Sequence, residues 1–228
     1  MTVIKKLFSP LITLTIPVII SVLSILILLS PIFTNLEYRR PGFPEDTYGF
    51  TTAERLDFGN QTRRYLISND TLEDLQQMVF ENGDPIYIER ELSHLEDVKI
   101  VLEGVLRVFY GAAAVFLLGG MIARTRGWQE IYLKAIYLGG KITAGLLVMI
   151  LLFTLVSFQA LFTNFHLLFF EGDSWLFFYS DSLIRLFPVK FWQDIFLVFG
   201  ILTLAGGSLL GWALPARMKN IPENVGRG

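Results

Sequence analysis

The sequence predicts an all-α integral membrane protein with four transmembrane helices and an extracytoplasmic, mainly helical cap between the first and second helices. The chain has 228 residues, of which 53% are hydrophobic, and its mean hydropathy is +0.52. A soluble domain of this length needs a more polar surface. Four apolar runs are long enough to cross a bilayer, which takes about 20 residues in a helix, and one acidic segment separates the first two runs.

The order of these runs defines the predicted segments. They are transmembrane helix 1 (7–36), the extracytoplasmic cap (37–99), transmembrane helix 2 (100–123), a cytoplasmic loop (124–141), transmembrane helix 3 (142–164), an extracytoplasmic interfacial loop (165–193), transmembrane helix 4 (194–214) and a cytoplasmic tail (215–228).

The first run contains no charged residue from Leu7 to Leu36. It is much longer than the apolar core of a secretory signal peptide, which has about 7–15 residues. The cap that follows has fourteen acidic and seven basic residues. Capping-box patterns at 51–54 and 71–74 predict two short helices in the cap, and 84–89 has a strand-like alternation.

The remaining spans carry few charges, and their glycines indicate packing. Gly139 and Gly140 beside the third span, and Gly207 and Gly211 in the fourth, allow helix backbones to approach closely. We therefore expect these small residues to serve helix packing, in a compact four-helix bundle.

Charge asymmetry predicts the orientation of the chain in the membrane. The N-terminus, the loop 124–141 and the tail 215–228 are basic and fall on one side of a four-span topology, whereas the acidic cap falls on the other. Because cytoplasmic segments are enriched in Lys and Arg, both termini are predicted in the cytoplasm. The protein is thus expected in the plasma membrane, with the cap outside.

The chain has two histidines, and this topology places both on the outer side. His94 precedes the second span by about one or two helical turns, and His166 lies at the outer end of the third. The sequence therefore predicts one site built from both imidazoles. Asp97 shares the helix face of His94 and is expected to hold one of its ring nitrogens. An alternative is that each histidine is an interfacial residue satisfied by water.

Other chemistries receive less support. Gly172-Asp173-Ser174 matches the start of an esterase motif, but no histidine follows His166 and no Gly-x-Ser-x-Gly elbow occurs. Two histidines with Asp97 or Asp173 form only a minimal metal-ligand set without diagnostic spacing, so no metal or other cofactor is predicted. The chain has no cysteine, and it lacks both a phosphate-binding loop and a basic aromatic patch for nucleic acid.

Two phrases, 91–99 around His94 and 165–177 around His166, resemble those of a bacterial family of four-span membrane proteins, the lipoprotein intramolecular transacylases. The resemblance implies an enzyme that moves one acyl chain from the diacylglyceryl group of a lipoprotein to the α-amino group of its N-terminal cysteine, giving a lyso-form. It also implies that His94 and His166 are the catalytic residues, with Asp97 and Asp173 in support, and that no cofactor is needed. The expected partners are a diacylglyceryl lipoprotein and membrane lipid.

The same phrases suggest substrate contacts. Aromatic side chains are expected to hold the acyl chains, and three polar side chains to contact carbonyl groups of the substrate; these candidates are Phe165, Phe169, Phe170, Trp175, Arg90, Tyr87 and Arg185. Two further alternatives stay open, a lipid esterase that uses Ser174 and a non-enzymatic membrane protein whose cap binds a partner.

Overall fold

Nine α-helices and one short π-helix form the part of the chain that the structure describes. The computed structural model describes residues 3–213, with side chains for 6–152 and 157–213. The predicted tail 215–228 lies outside the described residues. The helices are α1 (Val3–Leu28), α2 (Pro31–Tyr38), α3 (Thr52–Ile67), α4 (Leu72–Gln76), α5 (Glu89–Arg126), α6 (Gln129–Val156), α7 (Phe158–Phe169), α8 (Ser182–Leu186), α9 (Val189–Ser208) and the π-helix Leu209–Ala213.

Four of these helical segments are long and apolar enough to cross a membrane. Within the described residues they are Lys6–Leu28, Glu89–Arg126, Gln129–Leu152 and Val189–Ala213. No β-strand occurs between residues 3 and 213, where one isolated bridge joins Val79 and Pro85. The predicted fold class, all-α with four apolar helices, is therefore confirmed.

Two of the predicted spans are interrupted in the structure. Helix α1 ends at Leu28, and Ser30 caps a separate helix α2 by accepting a hydrogen bond from the backbone N–H of Phe33 at 3.3 Å. Pro31 at the first position of α2 has no N–H to continue the preceding helix. Ser157 likewise lies between α6 and α7, and its side chain caps α7 by accepting a hydrogen bond from Ala160 N at 3.2 Å.

The predicted helices of the cap are present. In α3 the Thr51 side chain accepts from Glu54 N while the Glu54 carboxylate accepts from Thr51 N at 2.7 Å, which completes the capping box. At the start of α4 the Asp74 carboxylate likewise accepts from Thr71 N at 2.7 Å, whereas Asp74 N donates to the backbone carbonyl of Thr71 at 3.2 Å. The strand-like alternation at 84–89 yields only the Val79–Pro85 bridge, because no neighbouring strand extends the ladder.

The described residues form two compact units, the first from 3–24, 106–152 and 199–213 and the second from 25–105 and 153–198. In the first unit, a Cβ added to Gly140 would lie 2.6 Å from Gly211 N and 2.7 Å from Gly207 O. These backbones are therefore in direct contact, which is the packing that the glycines predict.

The second unit has an aromatic and aliphatic core, to which the cap contributes most of the residues. Its buried members come from the cap helices, the first turns of α5 and the segment around α8; they are Tyr38, Phe50, Tyr65, Leu75, Met78, Ile86, Tyr87, Leu92, Leu95, Leu183, Leu186, Phe187 and Phe191. Leu92 and Leu95 belong to this core, so packing holds the helical turn that carries His94.

Candidate active site

The two histidines lie side by side inside the second unit. His94 is in the second turn of α5 and His166 is in α7, and their side chains are 7% and 8% exposed. The ring centroids are 6.0 Å apart and the ring planes differ by 24°. Two residues separated by 72 positions in sequence thus form one buried pair.

Aromatic rings enclose the pair. Trp175 stacks on His166 at a centroid distance of 4.7 Å, and Phe162 lies 4.2 Å from the same imidazole. Phe170 contacts both histidines, at 4.9 Å from His94 and 5.5 Å from His166. Such walls exclude water and lower the local dielectric constant, so that polar interactions within them are stronger than in solvent.

A backbone carbonyl determines the tautomer of His166. Its Nδ1 lies 2.8 Å from the carbonyl oxygen of Phe162, one turn earlier in α7. Because a carbonyl can only accept, the proton is assigned to Nδ1, and Nε2 of the neutral ring keeps its lone pair. Burial lowers the pKa of His166, and the bond to Phe162 opposes that shift only in part. The side chain is therefore a neutral base near pH 7.

The ring of His94 has a different environment. Its Nδ1 is buried and has no hydrogen-bond partner among the described residues. An unpaired buried acceptor is better tolerated than an unpaired buried N–H. We therefore assign the proton of neutral His94 to Nε2, which makes that nitrogen a donor.

Glu91 fixes the start of α5, where His94 lies. Its side chain is 1% exposed, and its carboxylate accepts from the backbone N–H of Leu183 at 2.6 Å and of Ile88 at 2.9 Å. The carboxylate thus connects the first turn of α5 to helix α8.

Arg90 lies one turn before His94 and is held near the aromatic wall. Its Nη2 donates to Asp181 at 2.8 Å, and its guanidinium is 5.4 Å from the ring centroids of Phe177 and Phe178. Phe177 in turn lies 5.4 Å from His94. Among the predicted polar contacts, Arg90 is therefore the one that the structure connects to the histidines.

The other two predicted polar contacts are engaged within the cap. The hydroxyl groups of Tyr87 and Thr62 are 2.5 Å apart, and Tyr87 is 3% exposed. Arg185 donates two hydrogen bonds to Asp46, at 3.0 and 3.2 Å, and its guanidinium lies 3.9 Å from the ring centroid of Phe50. The Tyr87 hydroxyl and the Arg185 guanidinium are thus already hydrogen-bonded within the protein, and these are the groups that would have to contact a substrate.

Within the residues that the structure describes, neither predicted supporting carboxylate forms a hydrogen bond or ion pair with the histidines. Asp97 is half-buried, and within the described part of the chain no hydrogen bond or ion pair joins it to His94, although the two share a helix face. The side chain of Asp173 is exposed. No group of three or more His, Asp and Glu side chains that could hold a metal occurs between residues 3 and 213.

The predicted aromatic contacts differ in burial. Phe170 is 8% exposed and touches both histidines, whereas Phe165 and Phe169 are 39% and 42% exposed and pack on each other at 4.9 Å. Phe165 also contacts His166 edge to face, at 5.5 Å. The aromatic set therefore has an inner part around the imidazoles and an outer part on the surface.

Sequence reasoning missed three contributors to the site, namely Glu91, Phe162 and Asp181. Glu91 gave a weak signal, because an acidic residue three positions after a helix start commonly accepts a backbone N–H. Phe162 acts through its backbone carbonyl, which side-chain identity does not reveal. The partner of Asp181 is 91 positions away in sequence, so its role emerges only from the tertiary structure.

Comparisons with known proteins identify the family. Residues 8–192 match the family model described as lipoprotein intramolecular transacylase Lit. An uncharacterized protein of Aquifex aeolicus (strain VF5) is 31% identical over 212 residues, covering 90% of this chain and 95% of that protein.

Solved structures show the same fold. The membrane-integral lipoprotein intramolecular transacylase Lit of Bacillus cereus aligns with a TM-score of 0.74 at 20% identity, over 95% of this chain and 96% of that one. A variant of the Bacillus cereus protein with a histidine replaced by alanine aligns with a TM-score of 0.69 at 18% identity, over 95% and 94%. Together with the family model, these matches show that the chain belongs to the lipoprotein intramolecular transacylase (Lit) family of multi-pass membrane enzymes.

Proposed function

We propose that this chain transfers one acyl chain from the diacylglyceryl group of a lipoprotein to the α-amino group of its N-terminal cysteine, with His94 and His166 as the acid-base pair. The observation that carries the mechanism is the buried pair itself, with ring centroids 6.0 Å apart, in which one ring has its tautomer fixed by a carbonyl. The family membership supports the reaction, and the geometry supports the roles of the two residues.

His166 is the general base of this mechanism. The amine, whose reference pKa is about 7.7–8.0, attacks as the neutral species. Its nitrogen must lose one further proton as the C–N bond forms, and a neutral imidazole can accept that proton. With Nδ1 donating to Phe162, Nε2 of His166 is the atom that takes the proton. The carbonyl of Phe162 then stabilises the resulting imidazolium, because its hydrogen bond to Nδ1–H persists.

His94 holds the leaving oxygen. Its Nε2–H donates to the glyceryl oxygen of the ester as the bond between that oxygen and the acyl carbon breaks. The proton that His166 took from the amine ends on the same oxygen. An ester and an amine thus become an amide and an alcohol, and no water, cofactor or covalent acyl-enzyme takes part.

Because the reaction is intramolecular, two histidines without a covalent nucleophile are sufficient for this mechanism. The nucleophile and the ester belong to one molecule, and holding two such groups together corresponds to an effective concentration of about 10⁵ M or more in favourable cases. The inner aromatic residues and Arg90 are proposed to hold the reacting end of the substrate. Tyr87 and Arg185 are now proposed as structural supports of the cap, because their polar groups are already paired.

The exposed apolar side chains near the histidine pair are proposed to contact membrane lipid. Leu168 and Phe178 are 76% and 70% exposed next to the buried pair, and apolar residues at this density suit a lipid environment. The basic residues of the N-terminus and of the segment 124–141 support an orientation with both termini in the cytoplasm and the histidines facing outward.

The decisive experiment follows acyl position in a synthetic diacylglyceryl lipopeptide. The transfer leaves the total mass unchanged, so fragmentation mass spectrometry must locate the chain on the N-terminal residue. His94→Ala and His166→Ala are each expected to slow conversion by about 10²–10⁴-fold, the usual contribution of general acid-base catalysis. If both variants convert the lipopeptide at the wild-type rate, the two-histidine mechanism is wrong.

Amide substitutions separate the two roles. The amide nitrogen of glutamine reaches the position of Nε2 and that of asparagine the position of Nδ1. His94→Gln is therefore expected to retain more activity than His94→Asn, because it keeps a donor at Nε2. His166→Gln and His166→Asn are both expected to be inactive, since an amide accepts no proton at neutral pH. Equal loss in both His94 variants would contradict the assigned role.

The esterase alternative has one observation in its favour, the buried and unpartnered hydroxyl of Ser174. No described contact joins this hydroxyl to either histidine, so nothing activates it as a nucleophile. Ser174→Ala is therefore expected to retain measurable transfer, whereas complete loss would favour the esterase mechanism. Exhaustive chelation is expected to leave the activity unchanged.

A further inference from the structure

Buried polar atoms without a hydrogen-bond partner cluster around the histidine pair. Among the residues that the structure describes, six side chains have such an atom, and four of these belong to the site: Arg90 Nε, His94 Nδ1, Ser174 Oγ and Trp175 Nε1. In folded proteins nearly all buried polar groups are paired. A concentration of unpaired groups at one place therefore indicates that a ligand supplies the missing partners.

Trp175 is the most informative member of this cluster. The indole N–H can only donate, and a buried tryptophan normally finds an acceptor for it. Tryptophans of the membrane interface keep this group in the wet headgroup region, whereas the nitrogen of Trp175 is buried. The indole is therefore more than a member of an aromatic belt.

The local backbone holds Trp175 against the proposed base. Leu176 N donates to Asp173 O at 2.9 Å, which makes Ser174 and Trp175 the two central residues of a turn. The indole ring stacks on His166 with a centroid distance of 4.7 Å and an angle of 30° between the planes. The indole ring is thus held against the imidazole that is proposed to take the proton of the amine.

The chemistry of the reaction identifies the acceptor. The acyl chains have no polar atoms, and the attacking amine must keep its lone pair free for the ester carbon. The carbonyl oxygen of the migrating acyl group is the remaining acceptor at the reacting centre, and it becomes negatively charged when the amine attacks. Hydrogen-bond donors placed at such an oxygen stabilise the transition state, and they make one of the largest contributions to the rate of acyl transfer.

We propose that Trp175 is a third catalytic residue, whose Nε1–H binds the carbonyl oxygen of the migrating acyl group and stabilises the oxyanion. This inference rests on the proposed acyl transfer and adds a donor to it. His94 then serves the leaving oxygen, His166 the amine and Trp175 the oxyanion, so that each heteroatom at the tetrahedral carbon has its own partner.

Trp175→Phe tests the proposal, because phenylalanine keeps an aromatic ring against His166 and removes only the N–H and part of the ring. Loss of one oxyanion donor typically lowers kcat by about 10²–10³-fold, and we expect a fall of that order with KM changed by less than about twofold. Trp212→Phe is the matched control, since the indole of Trp212 is 53% exposed and Trp212 belongs to the other compact unit. It should convert the lipopeptide at the wild-type rate.

A sulfur substrate separates a lost hydrogen bond from a disturbed fold. Replacement of the acyl carbonyl oxygen by sulfur, in a thionoester lipopeptide, weakens the acceptor. The ratio of the ester rate to the thionoester rate should therefore be smaller in Trp175→Phe than in the wild type. An unchanged ratio, or an unchanged kcat for the ester, would overturn the role of Trp175. Absence of transfer by the wild-type protein would instead refute the proposed function.

Discussion

Replacement of Glu91 by glutamine tests how the site is held in place. Both carboxylate oxygens of this buried residue accept backbone N–H groups, from Ile88 at the start of α5 and from Leu183 in α8. The amide of glutamine can keep one of these bonds, through its oxygen. Its NH₂ group then faces the other backbone N–H, so that one hydrogen bond is lost and two donors meet.

The size of the effect follows from these contacts. A hydrogen bond to a charged group contributes about 1.5–3 kcal/mol, and a buried N–H that is left unpaired adds its own desolvation cost. We therefore expect Glu91→Gln to lower the free energy of unfolding by about 2–3 kcal/mol. For a chain of this size that corresponds to a fall in Tm of about 4–12 °C.

The assay is thermal unfolding of the purified protein in detergent, together with the transfer rate measured well below Tm. Because His94 follows Glu91 by one turn, the rate should also fall when the start of α5 loosens. Glu96→Gln is the matched control, since Glu96 is exposed on the same helix and should leave Tm unchanged. A Tm within 1 °C of the wild type in Glu91→Gln would refute the reasoning.

Three further outcomes are expected. In a protein with His94 replaced by glutamine, NMR titration of the remaining imidazole should give His166 a pKa below about 6.5, because burial lowers that pKa. The unfolded chain binds this proton more readily, so the free energy of unfolding should decrease as pH falls below about 6.5. A pKa at or above about 6.5 would contradict the assignment. Arg185→Leu should lower the free energy of unfolding by about 3 kcal/mol, because it leaves a buried carboxylate unpaired, with little change in KM; a large rise in KM with normal stability would restore Arg185 as a substrate contact. Gly140→Ala should lower Tm, because its Cβ would lie 2.6 Å from a backbone nitrogen, whereas Gly145→Ala on the same helix meets open space and should leave Tm unchanged; equal Tm values for the two variants would be the contrary result.

The sequence was sufficient for the elements whose cause is local. Apolar runs predicted the four long helices, and the Thr51 and Thr71 capping boxes predicted α3 and α4, because each signal lies within a few consecutive residues. The number of spans between His94 and His166 predicted that the two lie at the same side of the bundle, and the structure brings their rings within 6.0 Å. The direction in which that side faces, argued from charge asymmetry, stays a prediction.

The remaining features depend on tertiary contacts or on single residues within long apolar runs. Ser30 and Ser157 begin new helices inside apolar runs, and a single hydroxyl group hardly changes the mean hydropathy of such a run. Arg185 was predicted to contact the substrate because its structural partner, Asp46, is 139 positions away in sequence. Asp97 has the helical spacing for a bond to His94, but no hydrogen bond joins the two side chains in the described part of the chain, since a shared helix face allows a contact without requiring one.

The break at Ser157 makes α7 a short, separate helix. Within its twelve residues α7 contains His166, the Phe162 ring that packs on it and the carbonyl that sets its tautomer. If α7 tilted away from its neighbours to admit a lipidated cysteine, these three groups would travel together. Nε2 of His166 would then still be unprotonated when the amine arrives. The imidazole would not have to change its tautomer before the reaction.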